Sequence, residues 1–447
     1  MTTPQPRRHL LPSMLALTLA FGAPAFAQTN ADLESRVQQL EQQLAQLRAL
    51  IAAQQPAPSP APAAVPGALQ PPAPIQKTTL TPGAAAGTTF SVGGFVRTDM
   101  LYTQTDSGEI ADGAAARDLY LPGQIPVGGN DEGTDFDAHI KFSRLWFAVD
   151  NVSDSGDKVS ARIEMDFFGG ALGNAVSTNT YGATVRHAFV SWNEWLVGQT
   201  WSNFMDSNAL IEAVDFIGPL DGMVFVRQPQ LRYSKGPWSF SLENPETTIT
   251  PFRGSGARIA SDDNNVPDLS GRYTYKAPWG HLSGALMLRQ LAYQTTGTNA
   301  IDDSTYVLAG SLSGRYNFNP NNDVRFAINA GGGLGRYVSL GVASDATLDG
   351  DGNIDGLDGV AGYLGFRHAF SPQLRGNIYY AAASYDNDVV VTGSAATKHV
   401  SSISANLIYS PLPKLDVGAE LRFADRELES AVDGSLARLH FLAKYSF

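Results

Sequence analysis

The stretch that decides the predicted fold is Phe441-Leu442-Ala443-Lys444-Tyr445-Ser446-Phe447. Every second side chain in it is apolar or aromatic, and the chain ends on the aromatic Phe447. Soluble domains rarely end on an exposed aromatic strand, whereas the last strand of an outer-membrane β-barrel commonly presents aromatic side chains to the lipid boundary. We therefore expect Phe441, Tyr445 and Phe447 on the outer face of a closing strand, with Arg438 and Lys444 on its inner face.

The same two-residue period extends backwards from this strand to Phe90. It predicts an all-β membrane protein, in which residues 90–447 form a sixteen-stranded antiparallel transmembrane β-barrel. Short turns such as 193–194 and 371–372 alternate with long polar loops, which is the connection pattern of membrane barrels with short turns at the periplasm. Sixteen strands are enough to enclose a water-filled lumen.

The amino-terminal part of the chain predicts export and a separate helix. The segment 1–27 contains Arg7 and Arg8, an apolar stretch and Ala25-Phe26-Ala27, which are typical of a signal peptide. Together with the predicted barrel, it predicts a location in the Gram-negative outer membrane. In residues 28–54 a heptad seam predicts a short periplasmic coiled coil, with a helix packed on its own domain as the alternative. Residues 55–89 are rich in proline and alanine and predict an extended linker. The seam residues are Leu33, Val37, Leu40, Leu44, Leu47 and Ile51.

Composition narrows the class of partner. The 447 residues contain no cysteine, and the net charge of −12 argues against nucleic acid. After the first 30 residues no apolar run is long enough for a helical membrane span. The expected partners are the lipid bilayer, lipopolysaccharide and small solutes.

The predicted inner face carries many arginines, and guanidinium groups bind carboxylates in bidentate fashion. This favours an anion-selective pore, although each arginine could instead pair with a lumen acid such as Asp99 or Glu164. The alternation places Arg186 on the outer face, out of step with the others, which a subunit interface or an error in the assigned register would explain. The predicted pore-lining, solute-binding residues are Arg97, Arg144, Arg162, Arg232, Arg272 and Arg289.

The long loop at 203–225 is both apolar and acidic, unlike the other loops. Such a loop is expected to fold into the lumen and to form a constriction, with its acids facing the arginines. Packing against a neighbouring subunit is the alternative. The acids of this predicted constriction loop are Asp206, Glu212, Asp215 and Asp221.

Two other signals are weaker. Asp351, Asn353 and Asp355 occur at the spacing of calcium-loop ligands, but the twelfth position is Gly362 and no helices flank the motif. A solvated turn is the alternative to an external calcium site, and we expect no other cofactor. No pair of carboxylates, metal-ligand spacing or Ser-His arrangement indicates an enzyme.

Several segments of the chain resemble the DcaP-like trimeric outer-membrane channels. The resemblance is concentrated in residues 90–250, with the preceding coiled coil also consistent, and it implies a homotrimer of sixteen-stranded barrels with periplasmic coiled-coil extensions. It further implies uptake of small anionic solutes, dicarboxylates among them, past a positively charged constriction. A general, weakly selective porin and a structural envelope protein that contacts the cell wall through its coiled coil are the alternatives. The matching segments are 164–169 (EMDFFG), 186–189 (RHAF), 197–206 (VGQTWSNFMD), 227–233 (RQPQLRY) and 241–246 (SLENPE).

Overall fold

The computed structural model describes residues 87–169, 179–298 and 300–447, all within the compact unit Ile75–Phe447. The predicted signal peptide and coiled coil, and the predicted linker up to residue 86, lie outside these described residues. Among the described residues, no helix has the length and apolarity needed to cross a bilayer.

The described chain consists almost entirely of β-strands, and a short helix, α1 (Val389–Thr392), lies in one of the long loops. The strands are β1 (Thr89–Thr105), β2 (Glu132–His139), β3 (Arg144–Val152), β4 (Lys158–Asp166), β5 (Thr184–Trp192), β6 (Trp195–Trp201), β7 (Arg227–Lys235), β8 (Trp238–Glu243), β9 (Thr247–Thr250), β10 (Ile259–Ser261), β11 (Asp268–Ala277), β12 (Gly280–Gln294), β13 (Asp302–Asn319), β14 (Asn322–Gly332), β15 (Ala346–Leu348), β16 (Ile354–Gly356), β17 (Asp358–Ala369), β18 (Leu374–Tyr385), β19 (Thr397–Leu412), β20 (Leu415–Leu428) and β21 (Asp433–Ser446).

Pairing of the first strand with the last closes the main sheet into a barrel. Along one edge β1 pairs antiparallel with β21, from Phe95 opposite Ser446 to Thr105 opposite Leu436. Along its other edge β1 pairs with both β2 and β3, so these two strands form a single crossing interrupted at 140–143. The barrel therefore has sixteen antiparallel strands, as the sequence predicts.

The interruption at 140–143 is stabilised by a side chain that replaces ladder hydrogen bonds. The Arg97 amide donates to Ser143 Oγ (3.0 Å), and Ser143 Oγ donates to the Arg97 carbonyl (3.1 Å). Phe142 is fully buried inside the barrel at this point. The break thus lets the wall place an aromatic ring in the interior while the backbone groups of Arg97 stay hydrogen-bonded.

The alternation of side chains along the strands is the one expected of a membrane barrel. In β21 the inward Arg438 and His440 are buried, whereas Phe441 and Tyr445 are exposed on the outer face. Exposed leucines, valines and aromatics cover the outer face of the other strands in the same way. A lipid bilayer is the environment that would remove this apolar surface from water.

The predicted outward position of Arg186 is wrong. A β-bulge shifts the register between β4 and β5, because Glu164 pairs with His187 while Met165 pairs with Val185. The extra residue turns Arg186 inward, next to Glu164 and Asp166. Bulges re-aim a side chain in this way, and the two-residue period alone does not show where one occurs.

Much of the barrel interior at the long-loop end is filled by three loops. Residues 106–131, 202–226 and 333–345 contribute fully buried side chains such as Leu119, Phe204 and Val338 to one hydrophobic cluster. A small sheet with the strand order β10-β9-β15-β16 lies among the loops. The water-filled lumen expected for sixteen strands is therefore much reduced on this side by packed loops.

Candidate functional site

The segment 202–226 between β6 and β7, here called the lumen loop, lies inside the barrel. It has little regular secondary structure, so its buried backbone carbonyls need donors from elsewhere. Arginines of the barrel wall supply several of them. Arg97 donates to the Val214 carbonyl (2.6 Å), Arg272 to Asn203 (2.7 Å), Arg422 to Gly218 (2.8 Å) and Arg325 to Leu210.

The four acids of the lumen loop bind to the wall and to the first long loop. The sequence predicted that these acids would face the arginines across an opening, but in the structure they do not. Asp206 accepts a bond from Ser313 Oγ (2.9 Å) and lies 2.8 Å from His281 Nε2, and Glu212 accepts two bonds from Arg375 Nε (2.8 and 2.9 Å). Asp215 accepts a bond from the Tyr120 amide (3.0 Å), and Asp221 accepts bonds from Tyr120 Oη (2.5 Å) and Ser402 Oγ.

Two of these acids differ in their titration. Burial raises the pKa of Asp221, and the attraction of Arg422 offsets only part of this effect, so the pKa lies above its ordinary value. Burial also raises the pKa of Asp215, but Arg422, His440 and backbone amide bonds outweigh it. The pKa of Asp215 therefore lies below its ordinary value, so this carboxyl is stabilised in the charged form.

Three of the six predicted pore-lining arginines are buried. Arg97, Arg272 and Arg289 are exposed by only 7%, 8% and 1%. Arg97 is paired with Asp99 (2.6 Å), and Arg289 with Asp268 (3.0 Å) and Asp345 (2.6 Å). The pair with Asp345 holds a loop to the wall, and the burial of all three guanidinium groups leaves them little access to a solute.

The other three predicted arginines are more accessible. The side chains of Arg144 and Arg162 are 22% and 36% exposed. Arg232 is half-buried and donates to the Trp201 carbonyl (2.5 Å). Arg144 and Arg162 therefore reach the part of the lumen that the loops leave open.

Arg144 and Arg162 belong to a larger group, here called the arginine wall. The group contains four guanidiniums, from β3, β4, β5 and β7, and two carboxylates, which leaves a formal net charge of +2. Glu164 lies 3.2 Å from Arg144, 2.7 Å from Arg162 and 3.2 Å from Arg186, and Asp166 lies 2.6 Å from Arg186. The fourth guanidinium, that of Arg227, forms no hydrogen bond and no ion pair with any described residue, and its buried Nη1 is unpartnered.

Aromatic rings of the lumen loop approach this wall. The Phe216 ring lies 5.2 Å from the Arg186 guanidinium, and the Phe225 ring lies 5.5 Å from that of Arg227. Trp201 covers Arg227 from another side at 4.7 Å. Aromatic rings therefore cover part of the arginine wall, and a solute at its more exposed members, Arg144 and Arg162, would meet guanidinium groups with few free carboxylates.

Sequence reasoning missed Arg186 and Arg227 for different reasons. The bulge in β5 hides the inward direction of Arg186. Arg227 is the first residue of β7, where the strand leaves the lumen loop and the alternation no longer determines the face. Its position beside Trp201 in the pairing of β6 with β7 is a tertiary feature.

The calcium-like motif lies in the hairpin of β15 and β16, with Asp351 and Asn353 in the turn and Asp355 in β16. The Asp349 carboxylate accepts bonds from the Asp351 amide (2.9 Å) and from the amide and side chain of Asn353 (both 2.8 Å). In the described part of the chain, no group of three or more His, Cys, Asp or Glu residues is arranged to hold a metal ion. Local hydrogen bonds therefore already occupy the Asp349 carboxylate.

Comparison with known proteins gives one family. The family model described as DcaP outer membrane protein matches residues 21–447. No curated protein matches the chain in sequence.

Solved structures of outer-membrane proteins have a similar fold. The outer membrane channel DcaP of Acinetobacter baumannii has a TM-score of 0.65 at 23% identity, covering 81% of this chain and 99% of that one. Outer-membrane expressed OmpT of Vibrio cholerae has a TM-score of 0.50 at 11% identity, covering 81% and 99%. An anion-selective porin from Comamonas acidovorans has a TM-score of 0.49 at 14% identity, covering 80% and 100%.

Proposed function

Because this chain belongs to the DcaP outer membrane protein family, we propose that its barrel is a passive diffusion channel for small anionic solutes. The family and the fold are those of outer-membrane channels, not of enzymes. Carboxylates, and dicarboxylates in particular, are the proposed solutes. The lumen loop narrows the path, and solutes pass it along the arginine wall.

The observation that supports anion preference is the charge of the arginine wall. Three guanidiniums share two carboxylates, and the fourth, that of Arg227, has no ion pair with a described residue. Guanidinium is planar and always charged, and it binds a carboxylate through two parallel hydrogen bonds. Several such groups along one wall suit a solute that carries two carboxylates. Within the wall, Arg144 and Arg162 are the proposed solute contacts, and they replace Arg97, Arg272 and Arg289, because those three are buried. Arg186 is also buried, at 4% exposure, and contributes its charge without direct contact.

Reversal potential across a planar bilayer in a KCl gradient tests this proposal. In a water-like dielectric, one unit charge about 4 Å from a permeating ion contributes about 1 kcal/mol, which corresponds to about a fivefold change in permeability ratio. We expect the wild-type channel to prefer chloride and Arg227→Ala to lower the anion-to-cation ratio about fivefold. The effect should weaken at high salt, where the Debye length falls to about 3 Å.

A matched control removes one positive charge elsewhere. Lys398→Ala loses the same charge from an exposed pair with Glu427 at the long-loop end and should leave the ratio unchanged. A cation-selective wild type would reject the anion proposal. Unchanged selectivity in Arg144→Ala, Arg162→Ala and Arg227→Ala would assign the wall a structural role, and a general, weakly selective porin would then be the better description. Liposome swelling with mono- and dicarboxylates against neutral sugars tests the solute class.

Assembly and attachment are part of the same proposal. Three chains are proposed to associate through the apolar outer face, with the remaining outer face in contact with lipid and lipopolysaccharide. The segment 28–54 is proposed as a periplasmic coiled coil joined to the barrel by the linker 55–89. Mass measurement of the detergent-solubilised full chain tests the trimer, since a monomeric mass would reject it.

Calcium at Asp351, Asn353 and Asp355 is a subsidiary proposal. It is supported only by side-chain oxygens at alternating positions in an external hairpin turn. Calorimetry on the purified full chain tests it, because the absence of a saturable heat with calcium would exclude the site.

A further inference from the structure

A second group of arginines lies at the long-loop end of the barrel, away from the arginine wall. A cavity of about 290 Å³ opens there between the loops. This is near the lower end of the size of small-molecule sites, so the cavity suits a ligand of few atoms. Its lining comes from five separate segments, namely Gly123, residues 250 and 255–258, residues 341–344 with Leu357, residues 387 and 396–397, and Arg426.

Arg258 occupies one side of the cavity. Its Nη2 donates to the carbonyls of Gly341 and Ala343 (2.9 Å to the latter), and the side chain is otherwise exposed. These two bonds fix the guanidinium against loop 333–345 while leaving it accessible.

Arg426, near the end of β20, occupies another side. Its Nη1 donates to the Ile125 carbonyl (3.0 Å), and its Nε and Nη2 donate to Thr397 Oγ1 (3.1 and 3.0 Å). The side chain is half-buried, and its partners fix its position between two loops.

The two guanidiniums share a feature that most arginines of the barrel lack. Within the part of the chain that the structure describes, no carboxylate oxygen lies within 4.0 Å of either one, whereas Arg97, Arg289 and Arg375 each pair with an acid. Carbonyl and hydroxyl oxygens satisfy hydrogen-bond donors but do not neutralise a positive charge. A cavity with two such charges favours an anion, because the charges are already fixed in place and need little rearrangement to bind it.

We propose that this cavity is an anion-binding site, distinct from the arginine wall, in which Arg258 and Arg426 bind a small free carboxylate or phosphate. The long loops of such barrels face outside, so the site would bind the anion at the outer mouth. Because Arg258 contacts loop 333–345 and Arg426 contacts residues 125 and 397, a bound anion would also link these loops to one another.

Calorimetry of the full chain in detergent, freed of lipopolysaccharide, tests the site with succinate and with inorganic phosphate as probes. We expect saturable binding of at least one probe to the wild type and a loss of affinity of tenfold or more in Arg258→Ala. Arg258 is exposed, so this variant should fold. The matched control is Arg253→Ala, which removes an exposed arginine of the same loop that does not line the cavity. It should bind like the wild type. Arg426→Lys keeps a charge at the second position and should retain more affinity than Arg426→Ala.

Hydrogen exchange gives a second readout. At tenfold excess over the dissociation constant, mass action predicts about elevenfold slower exchange for amides whose opening breaks the site. Residues 341–344 and 396–397 should show this protection, and at the same ligand concentration Arg258→Ala should reduce it to about twofold or less.

Several results would overturn the proposal. One is the absence of binding of both probes to the wild type, and another is unchanged affinity in both Arg258→Ala and Arg426→Ala. Loss of the binding heat in Arg227→Ala, with Arg258→Ala unaffected, would assign the heat to the arginine wall. Binding seen only when lipopolysaccharide is retained would identify a lipid phosphate and reject the free anion. The reversal potential of Arg258→Ala separates this anion site from the proposed anion selectivity of the channel. The variant should have the wild-type reversal potential whether or not the channel prefers anions.

Discussion

Arg289 offers the sharpest test of how the loops are held inside the barrel. This buried guanidinium on β12 bonds to Asp268 (3.0 Å), Asp345 (2.6 Å) and the carbonyls of Glu246 (2.6 Å) and Gly333. Arg289→Met keeps much of the side-chain length and removes every one of these donors. Asp345 then remains buried without a cation, and Asp268 keeps only Arg336, 4.0 Å away. Breaking a buried ion pair in this way costs about 3–5 kcal/mol.

This cost should appear as local opening of loop 333–345. Asp345 and Gly333 belong to that loop, and opening it would return the unpaired carboxylate to water. Each 1.4 kcal/mol is a factor of ten, so opening should become about 100 to 4,000 times more frequent. Hydrogen–deuterium exchange of residues 333–357 measures it, through amides such as Asp345, which donates to Thr248 (2.8 Å), and Leu357, which donates to Asp345 (2.9 Å).

A matched variant separates the loss of the ion pairs from the loss of an arginine. Arg253→Met removes an exposed arginine of a neighbouring loop and should leave exchange at 333–357 unchanged. Amides in the ladder between β19 and β20 should be unaffected in both variants. Exchange in Arg289→Met within threefold of the wild type would refute the idea that this guanidinium anchors the loop.

Three further outcomes are expected. Gly222→Ala would place a Cβ 1.9 Å from a backbone oxygen of β17 and so force the lumen loop away from the wall. This should change the single-channel conductance. In the control Gly284→Ala, the new Cβ meets nothing within 4 Å, and the conductance should stay the same. Because the pKa of Asp215 is depressed, its stabilisation is present above the ordinary value of 3.8 and is lost as pH falls through the lower folded value. Exchange in the lumen loop should therefore accelerate on acidification below about 3.8, and Asp215→Asn should remove that pH dependence; an unchanged profile would reject this. Tyr120→Phe deletes the 2.5 Å hydrogen bond to Asp221, which should lower the local stability of loop 106–131 by about 1–3 kcal/mol. Hydrogen exchange in this loop, measured by mass spectrometry, should therefore become faster.

The arginines of this barrel have two roles that composition alone does not separate. Arg97, Arg272, Arg325 and Arg422 donate to carbonyls of the lumen loop, which the loop itself leaves unpaired. In the arginine wall, the Arg227 guanidinium has no hydrogen bond or ion pair with any described residue and contacts only the rings of Trp201 and Phe225. The number of arginines therefore overstates the positive charge available to a solute. The hydrogen-bond partners of each guanidinium indicate which arginines remain free to bind one.

The strand pattern could be predicted from sequence because it is local. Side chains alternate with a period of two whatever the rest of the chain does, so Phe441, Tyr445 and Arg438 could be assigned to their faces directly. The number of strands followed from the same period and from the alternation of short turns with long loops. The apolar and acidic composition of 203–225 also indicated a loop inside the barrel, which is where the structure places it.

The tertiary structure alone decided which groups meet inside the barrel. The bulge in β5 that turns Arg186 inward, the pairing of Asp221 with Tyr120 and the accessibility of Arg227 depend on residues far apart in the chain. Such contacts form only when β21 pairs with β1 and the loops fold into the closed space. The sequence by itself thus determined the barrel and its two faces, because these follow from the geometry of neighbouring residues. The closure of the barrel decided which charged groups are paired and which remain free, because only closure brings these distant groups together.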